Sequence, residues 1–435
     1  MRTSSPNGFE DKMMHNSVTP EATEDDFKFD VAAPENWIFA PGDNIIGNLV
    51  RGASIITPEA TVKIDLVGRM ETSIRTGGKA HSNHKKTYAE HILLFESQET
   101  LIHNGPLHLP HDSDEKLNFE FSIKIPERPK KHPYHVYTKV TSHLPVDNPD
   151  HPDHKKLPPP FASGNLSMFG NVESAQAEVK YFLVATLRYK SAGHVKIHAI
   201  TWPFKIRYSS TKTIEEYQIR QVQSEAKVQS QRLLPGMKDA TLSLHQKTRN
   251  LLRSSKVPEF YFNMTVSSPM SIRFSDPEPL RISVQFDPLP EKTSDDIKDI
   301  VREIRVDSIK IFLRATTDIR FTSNPEHTRR HCDTHTKTSN LGLDKMLSLL
   351  ESPLVVSTGK GNKPLNLGDM FQLTMNEFGM LSGNKRLYPT PRLYPDFTTH
   401  SIRHTHGLDF KVNVKIDGES VTVETSLPVK LLSVD

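Results

Sequence analysis

Leu117-Asn-Phe-Glu-Phe-Ser-Ile-Lys-Ile125, closed by Pro126, alternates apolar and polar side chains at every step. Successive side chains of an extended strand point to opposite faces, so this stretch reads as a strand with one dry face and one wet face. The same period recurs outward in both directions. Val62, Ile64 and Leu66 alternate with Thr61, Lys63 and Asp65 in a run expected to end at Gly68. Residues 179–187 are apolar on both faces, as a central strand requires. Trp202, Phe204 and Ile206 point inward from 195–208, and Leu280, Ile282, Val284 and Phe286 oppose Arg281, Ser283 and Gln285. Within 304–313 the apolar phase slips from 304/306 to 309/311/313, which predicts a β-bulge near Ser308. Residues 410–416, Asp417-Gly418 and 421–427 read as a terminal hairpin. The chain is expected to be all-β.

A chain of 435 residues exceeds one ordinary core, so two domains with linkers are expected. Apolar content is only 35%, and 31 prolines outnumber 20 glycines, a balance that suits sandwiches with long connections. The formal charge of +3 provides no global attraction to nucleic acid or membrane, so such affinity would come from local patches. With Cys332 as the one cysteine, no intrachain disulfide forms. No apolar run reaches half a membrane span, and the first residues lack the apolar core of a signal peptide. A soluble cytoplasmic protein is the expectation.

Composition divides the chain further. Residues 1–26 are polar and read as a disordered tail whose Ser and Thr are candidate phosphorylation sites. Strand signals run from Phe27 to Tyr208, opening with the turn at Phe39-Ala-Pro-Gly-Asp43. Inside that span, 75–87 reads as a loop, and 127–163 carries eight prolines and five histidines and reads as a long exposed loop. Residues 209–256 hold nine Lys/Arg against four Asp/Glu, a net of +5. Ile214, Tyr217 and Val222 approximate one helical face there, stopped at Leu234-Pro-Gly236, so a basic, partly helical connector is expected. Strands resume over 257–435.

The first half resembles the arrestin N-terminal domain. The likeness is carried by Phe39 with Pro41-Gly42-Asp43 and Gly47, by the strand at Leu66-Val-Gly68, and by Phe119, Phe121 and Pro126. Leu157-Pro158-Pro159-Pro160-Phe161 and the aromatic strand through Tyr181 follow in the same order. The second half is similar to the C-terminal domain of fungal arrestin-like proteins through Tyr394-Pro395-Asp-Phe397-Thr-Thr399, Ile402 and the last hairpin. The resemblance implies two immunoglobulin-like β-sandwiches in tandem, 27–208 and 257–435. It also implies a non-enzymatic adaptor, without cofactor, that binds cytoplasmic tails or loops of membrane proteins and is recruited to the plasma membrane or endosomes. Many fungal members of the family recruit a HECT-type ubiquitin ligase through Pro-Pro-x-Tyr. No such motif occurs here; the nearest string, Pro158-Pro159-Pro160-Phe161, is a candidate WW contact set against a plain structural start to a strand.

Other candidates are weighed on their chemistry. His327, His331, Cys332 and His335 carry zinc-ligand atoms, but in no known module spacing, so a solvated loop is expected. The pairs His81/His84 and His151/His154 lack a third ligand. Thr358-Gly-Lys-Gly361 fails as a phosphate loop, because Leu354 stands where the earlier glycine belongs. Lys130, Lys131, Lys155, Lys156, Arg249, Arg253 and Lys256 are candidate contacts to anionic lipid, each basic residue near such a surface being worth about 1 kcal/mol. A β-sandwich hydrolase or sugar-processing protein would need paired carboxylates, and a β-sandwich DNA binder a basic face; these are the alternatives to a binding adaptor without nucleic acid.

Overall fold

The computed structural model describes residues 27–76, 86–96, 98–111, 113–130, 142–145, 148, 151–163, 172–208, 218–238, 257–320, 332–359 and 362–433. These residues are nearly all β, of sandwich type. A small antiparallel sheet orders Phe27–Val31, Asn44–Arg51 and Leu117–Lys124. It faces a large sheet ordered Ile38–Phe39, His194–Ile206, Val172–Ser191, Ile55–Thr76 and Lys86–Leu93, to which Gln98–Leu109 and Phe161–Ala162 add pairs. Leu49, Phe119 and Phe121 from the first sheet meet Ile64, Leu183 and Phe204 from the second in one buried apolar cluster.

The opening alternation behaves as its pattern dictates. Phe119, Phe121, Ile123 and Ile125 are buried, whereas Asn118, Glu120, Ser122 and Lys124 are exposed. Phe121 pairs with Gly47, and a Cβ at Gly47 would lie 2.5 Å from the Asp30 carbonyl oxygen, so the glycine lets the first two strands close up. The Pro41-Gly42-Asp43 turn closes on an Ala40 N–H that donates to Asp43 Oδ2 at 2.7 Å, and Ile125 N–H donates to the Asp43 carbonyl at 2.8 Å, next to Pro126.

A second apolar cluster lies between two further sheets. Ile219–Gln229, Glu259–Pro269, Ser283–Pro288 and Leu365–Asn366 form one, and Ser271–Arg273, Glu419–Leu432, Ile402–Ile416, Glu303–Arg320 and Cys332–Asn340 form the other. Phe262, Val266 and Val284 pack against Ile311, Phe410 and Val412 across it. The register slip between Val306 and Ser308 is the expected bulge, and Ile402–Ile416 and Glu419–Leu432 form the terminal hairpin around Asp417-Gly418. Among the described residues the α-helices are Leu343–Leu347 and Leu367–Phe371, of five residues each.

Three expectations need correction, and one strand was not foreseen. The described part of the connector holds no α-helix, only a 3-10 turn at Gln231–Leu233: Ile219–Gln229 is an edge strand paired over its whole length with Glu259–Pro269. Its inward positions, Val222, Ala226 and Val228, follow a period of two that the helical reading of Val222 missed. The strand expected to stop at Gly68 runs on from Ile55 to Thr76, because both its edges stay paired beyond that point, with Val172–Ser191 and Lys86–Leu93; Gly68 instead makes room for the Phe95 ring, 2.7 Å from where a Cβ would sit. Gln98–Leu109 is a strand that the pattern did not announce. The supposed exposed loop is buried at its end: Leu157, Pro158, Pro159 and Phe161 are all shielded, so that polyproline run is not presented to a WW groove. Residues 1–26, 77–85, 131–141, 164–171, 209–217, 239–256 and 321–331, on which the tail, the 75–87 loop, part of the connector and most of the His/Cys stretch are read, lie outside the described residues.

Phe121→Ala removes a ring buried between the sheets and is expected to lower stability by about 3–5 kcal/mol. Glu120→Ala, on the wet face, is expected to change it by about 0.5 kcal/mol or less. Urea unfolding midpoints check the pair, and equal shifts would contradict the strand orientation.

Candidate functional site

The densest group of buried polar side chains lies where the two apolar clusters touch. The first cluster already contains Ile319, Phe397 and Ile402 from the second half of the chain. Phe161 is the hinge of this seam. Its backbone pairs with Val179 at the margin of the large sheet, and its ring meets Tyr394 at 5.0 Å, Phe397 at 5.1 Å and His404 at 4.9 Å. Pro158 is held by Tyr181, whose buried phenol donates to the Pro158 carbonyl at 2.7 Å. Burial pushes that phenol well above its ordinary pKa, so it remains a donor.

Three segments close the seam around Phe161. Residues 142–145 contribute Ser142, whose Oγ lies 2.8 Å from His400 Nδ1 and whose carbonyl accepts from Arg320 Nη1 at 2.6 Å. The neighbouring His143 N–H donates to the His400 carbonyl at 3.0 Å. Thr399 Oγ1 accepts from Ile402 N–H at 2.9 Å and fixes the tight turn that carries His400 and Ser401. Ser401 Oγ donates to Glu90 Oε2 at 2.7 Å, a bond from the second half to the large sheet of the first. Behind them, the inward track of the Ile402–Ile416 strand places His404 against Thr317 Oγ1 at 2.9 Å and His406 against Asp396 Oδ1 at 2.6 Å. Asp396 Oδ1 also accepts from Leu431 N–H at 2.9 Å, so every buried group on this track has a partner.

Two of the seam histidines, His143 and His404, are held toward the neutral form. Burial, then the Arg320 and Arg403 charges, push His143 down to about 4. Burial, then His406, hold His404 well below its ordinary value. Burial alone would raise Asp318, but hydrogen bonds from Thr334 and Arg403 outweigh it and hold the carboxyl below its ordinary value. Arg403 Nε donates to Asp318 Oδ2 at 3.0 Å.

The residues singled out from sequence fall into three groups. Pro158, Pro159, Pro160 and Phe161, together with Tyr181, Pro395 and Phe397, are brought together at the seam. Lys130 and Lys156 line one cavity there with His154 and His400, while Lys155 is exposed beside them. Lys131, Arg249, Arg253, Lys256, His81, His84, His327 and His331 lie outside the described residues. The expected His/Cys loop is a strand from Cys332 onward, with His335 in register with Thr317. Among the described residues no three His, Cys, Asp or Glu side chains come together as a metal site. His151 Nδ1 instead accepts from Asp153 N–H at 3.3 Å and starts a short 3-10 turn over Pro152–Lys155. Ser142, His143, His400, His404 and His406 were not singled out. The signal for two of them was present: His404 and His406 share one face with Ile402, Leu408 and Phe410.

A histidine whose folded pKa is depressed binds fewer protons in the native state than in the unfolded one. Stability is therefore intact above about pH 6.5 and is lost as pH falls toward about 4, the value for His143. His143 is half-buried as a residue although both ring nitrogens are shut off from solvent, and about 1–2 kcal/mol is expected to be lost by pH 4.5 from this group. His143→Gln is expected to flatten that part of the slope in urea midpoints measured from pH 7.5 to 4.5; an unchanged slope would contradict the assignment.

No family model matches the chain and no curated protein matches it, so its functional reading rests on its own residues and their geometry.

Proposed function

We propose that this protein is an arrestin-like adaptor: a non-enzymatic scaffold that binds cytoplasmic tails or loops of membrane proteins and supports their endocytosis, trafficking or signalling. One observation carries the reading. Leu157–Phe161 and Tyr394–Thr399, two stretches singled out separately by their likeness to the two arrestin domains, meet in space, with the Phe161 and Phe397 rings 5.1 Å apart. In this reading 27–208 and 257–435 are tandem immunoglobulin-like sandwiches, and the seam sets how they sit together. Recognition then falls to connections and strand edges, where backbone ladders give affinity and side chains give choice.

Any link to a HECT-type ubiquitin ligase is proposed as indirect, since the chain has no Pro-Pro-x-Tyr and its polyproline run is buried. No helix among the described residues is long and apolar enough to cross a membrane. A cytoplasmic protein recruited to the plasma membrane or endosomes is part of the same proposal.

Proximity labelling with the full chain in its native cell tests the reading. Membrane proteins with cytoplasmic tails and endocytic coat components are expected to be enriched. Enrichment of chromatin would point to the DNA-binding alternative, and enrichment of metabolic enzymes without membrane proteins to the hydrolase; either would overturn the adaptor.

A further inference from the structure

We infer that the cavity at the seam is a binding site for one small oxyanion, of the phosphate or sulfate class, which ties the two halves of the chain together. The cavity measures about 50 Å³, against roughly 10–15 Å³ needed to hold a single water. Its walls come from both halves: Lys130, His154 and Lys156 from one, Thr398 and His400 from the other. Lys130, Lys156 and Thr398 can donate hydrogen bonds to a ligand there, whereas His154 Nε2 already faces the Pro145 carbonyl at 3.0 Å and His400 Nδ1 the Ser142 hydroxyl at 2.8 Å; Met70, Leu94 and Leu144 complete the wall.

Among the described lining residues positive charge is in excess: Asp153 is the one carboxylate among them, and it lies 3.7 Å from Lys156 Nζ. Lys130 makes no ion pair with any described residue. An oxyanion accepting from lysine ammoniums and a threonine hydroxyl would satisfy this excess, and charge-assisted bonds of that kind are stronger in a partly desolvated site than in water.

A free anion suits the geometry better than the phosphate of a lipid headgroup. His400, at the back of the cavity, is only 7% exposed, so a ligand must enter fully to reach it. A phosphate esterified to a membrane lipid stays at the mouth, where Lys130 and Lys155 are exposed, and does not reach His400. Because the donors belong to both halves, a bound anion adds contacts that exist only while the seam is closed, and it stabilises the folded chain by mass action.

Thermal unfolding of the full chain in rising inorganic phosphate, with ionic strength held constant by sodium chloride, tests the site. A saturable rise in Tm is expected, with an apparent affinity weakened roughly tenfold or more in the Lys130→Ala/Lys156→Ala double variant. Lys180→Ala, which removes an exposed lysine paired with Glu178, is expected to keep the full response. No rise, or an equal rise in the double variant, overturns the proposal. A second measurement needs no variant: the ³¹P line of phosphate is expected to broaden with the wild-type chain and to sharpen again on addition of sulfate but not of chloride at equal ionic strength, and an unbroadened line counts against the site. Flotation with vesicles of phosphatidylcholine and phosphatidylserine separates the two sources. Lysine-dependent flotation without any response to phosphate would assign the lysines to a lipid surface and overturn the free-anion site. None of these outcomes depends on whether the chain is an adaptor.

Discussion

Each long strand of this protein must give one of its faces to an apolar layer, and that single requirement organises both halves. A buried aliphatic or aromatic side chain contributes about 1.5–3 kcal/mol when removed from water, while a strand held by hydrogen bonds alone gains little over its hydration. The alternation at Phe119, Phe121 and Ile123 therefore sets the register against Ile45, Gly47 and Leu49, since a slip of one residue would turn three apolar side chains to water. Where the pattern must change phase, the backbone takes up the difference. The extra residue between Val306 and Ser308 lets Ile304 and Ile309 face the same core although their spacing is odd.

Polar groups enter the interior under a stricter rule, because a buried donor or acceptor without a partner costs about 1–3 kcal/mol. Arg302 shows how the rule is largely met outside the seam, its Nε alone lacking a hydrogen-bond partner. Its guanidinium donates to the Leu233 carbonyl at 2.7 Å and pairs with Asp417, over the face of Phe260. One side chain thereby joins a 3-10 turn, the tip of the terminal hairpin and the second core. At the seam the same task is shared among His400, His404, His406, Asp318 and Asp396, each bonded to a group from another segment.

What was legible in the sequence was local and periodic. The strands at 117–125 and 410–427, the turn at 39–43 and the bulge near Ser308 all follow from apolar spacing within a few residues. Ile219–Gln229 hid because Arg220 and Ser224 occupy inward positions beside Val222 and Ala226, which dilutes the alternation, and Ile214, Tyr217 and Val222 mimic a helical face. Gln98–Leu109 hid for a different reason. Its pairing with Ile55–Thr76 shifts twice, between Thr57 and Ala60 and between Val62 and Lys63, and Leu101 is left 56% exposed, so no single phase describes it. The seam was least legible, because Ser142, Phe161, Arg320 and His400 meet only through tertiary structure.

The composition of the seam bears on what it can do. An interface made of aliphatic side chains alone would tolerate many near-equivalent packings, since dispersion and hydrophobic burial are weakly directional. Here the apolar contact of Phe161 with Phe397 and Tyr394 sits inside a ring of directional bonds, among them Ser401 to Glu90 and Arg320 to Ser142, that are satisfied together in one arrangement. Shifting the halves by the length of a hydrogen bond would strand several of these groups at once, while leaving much of the apolar area buried. Apolar burial thus supplies the attraction and the polar ring selects the geometry. The Leu157–Phe161 segment belongs to both systems, through the Pro158 carbonyl and the Phe161 ring, and for that reason its prolines are spent on architecture rather than offered to a partner.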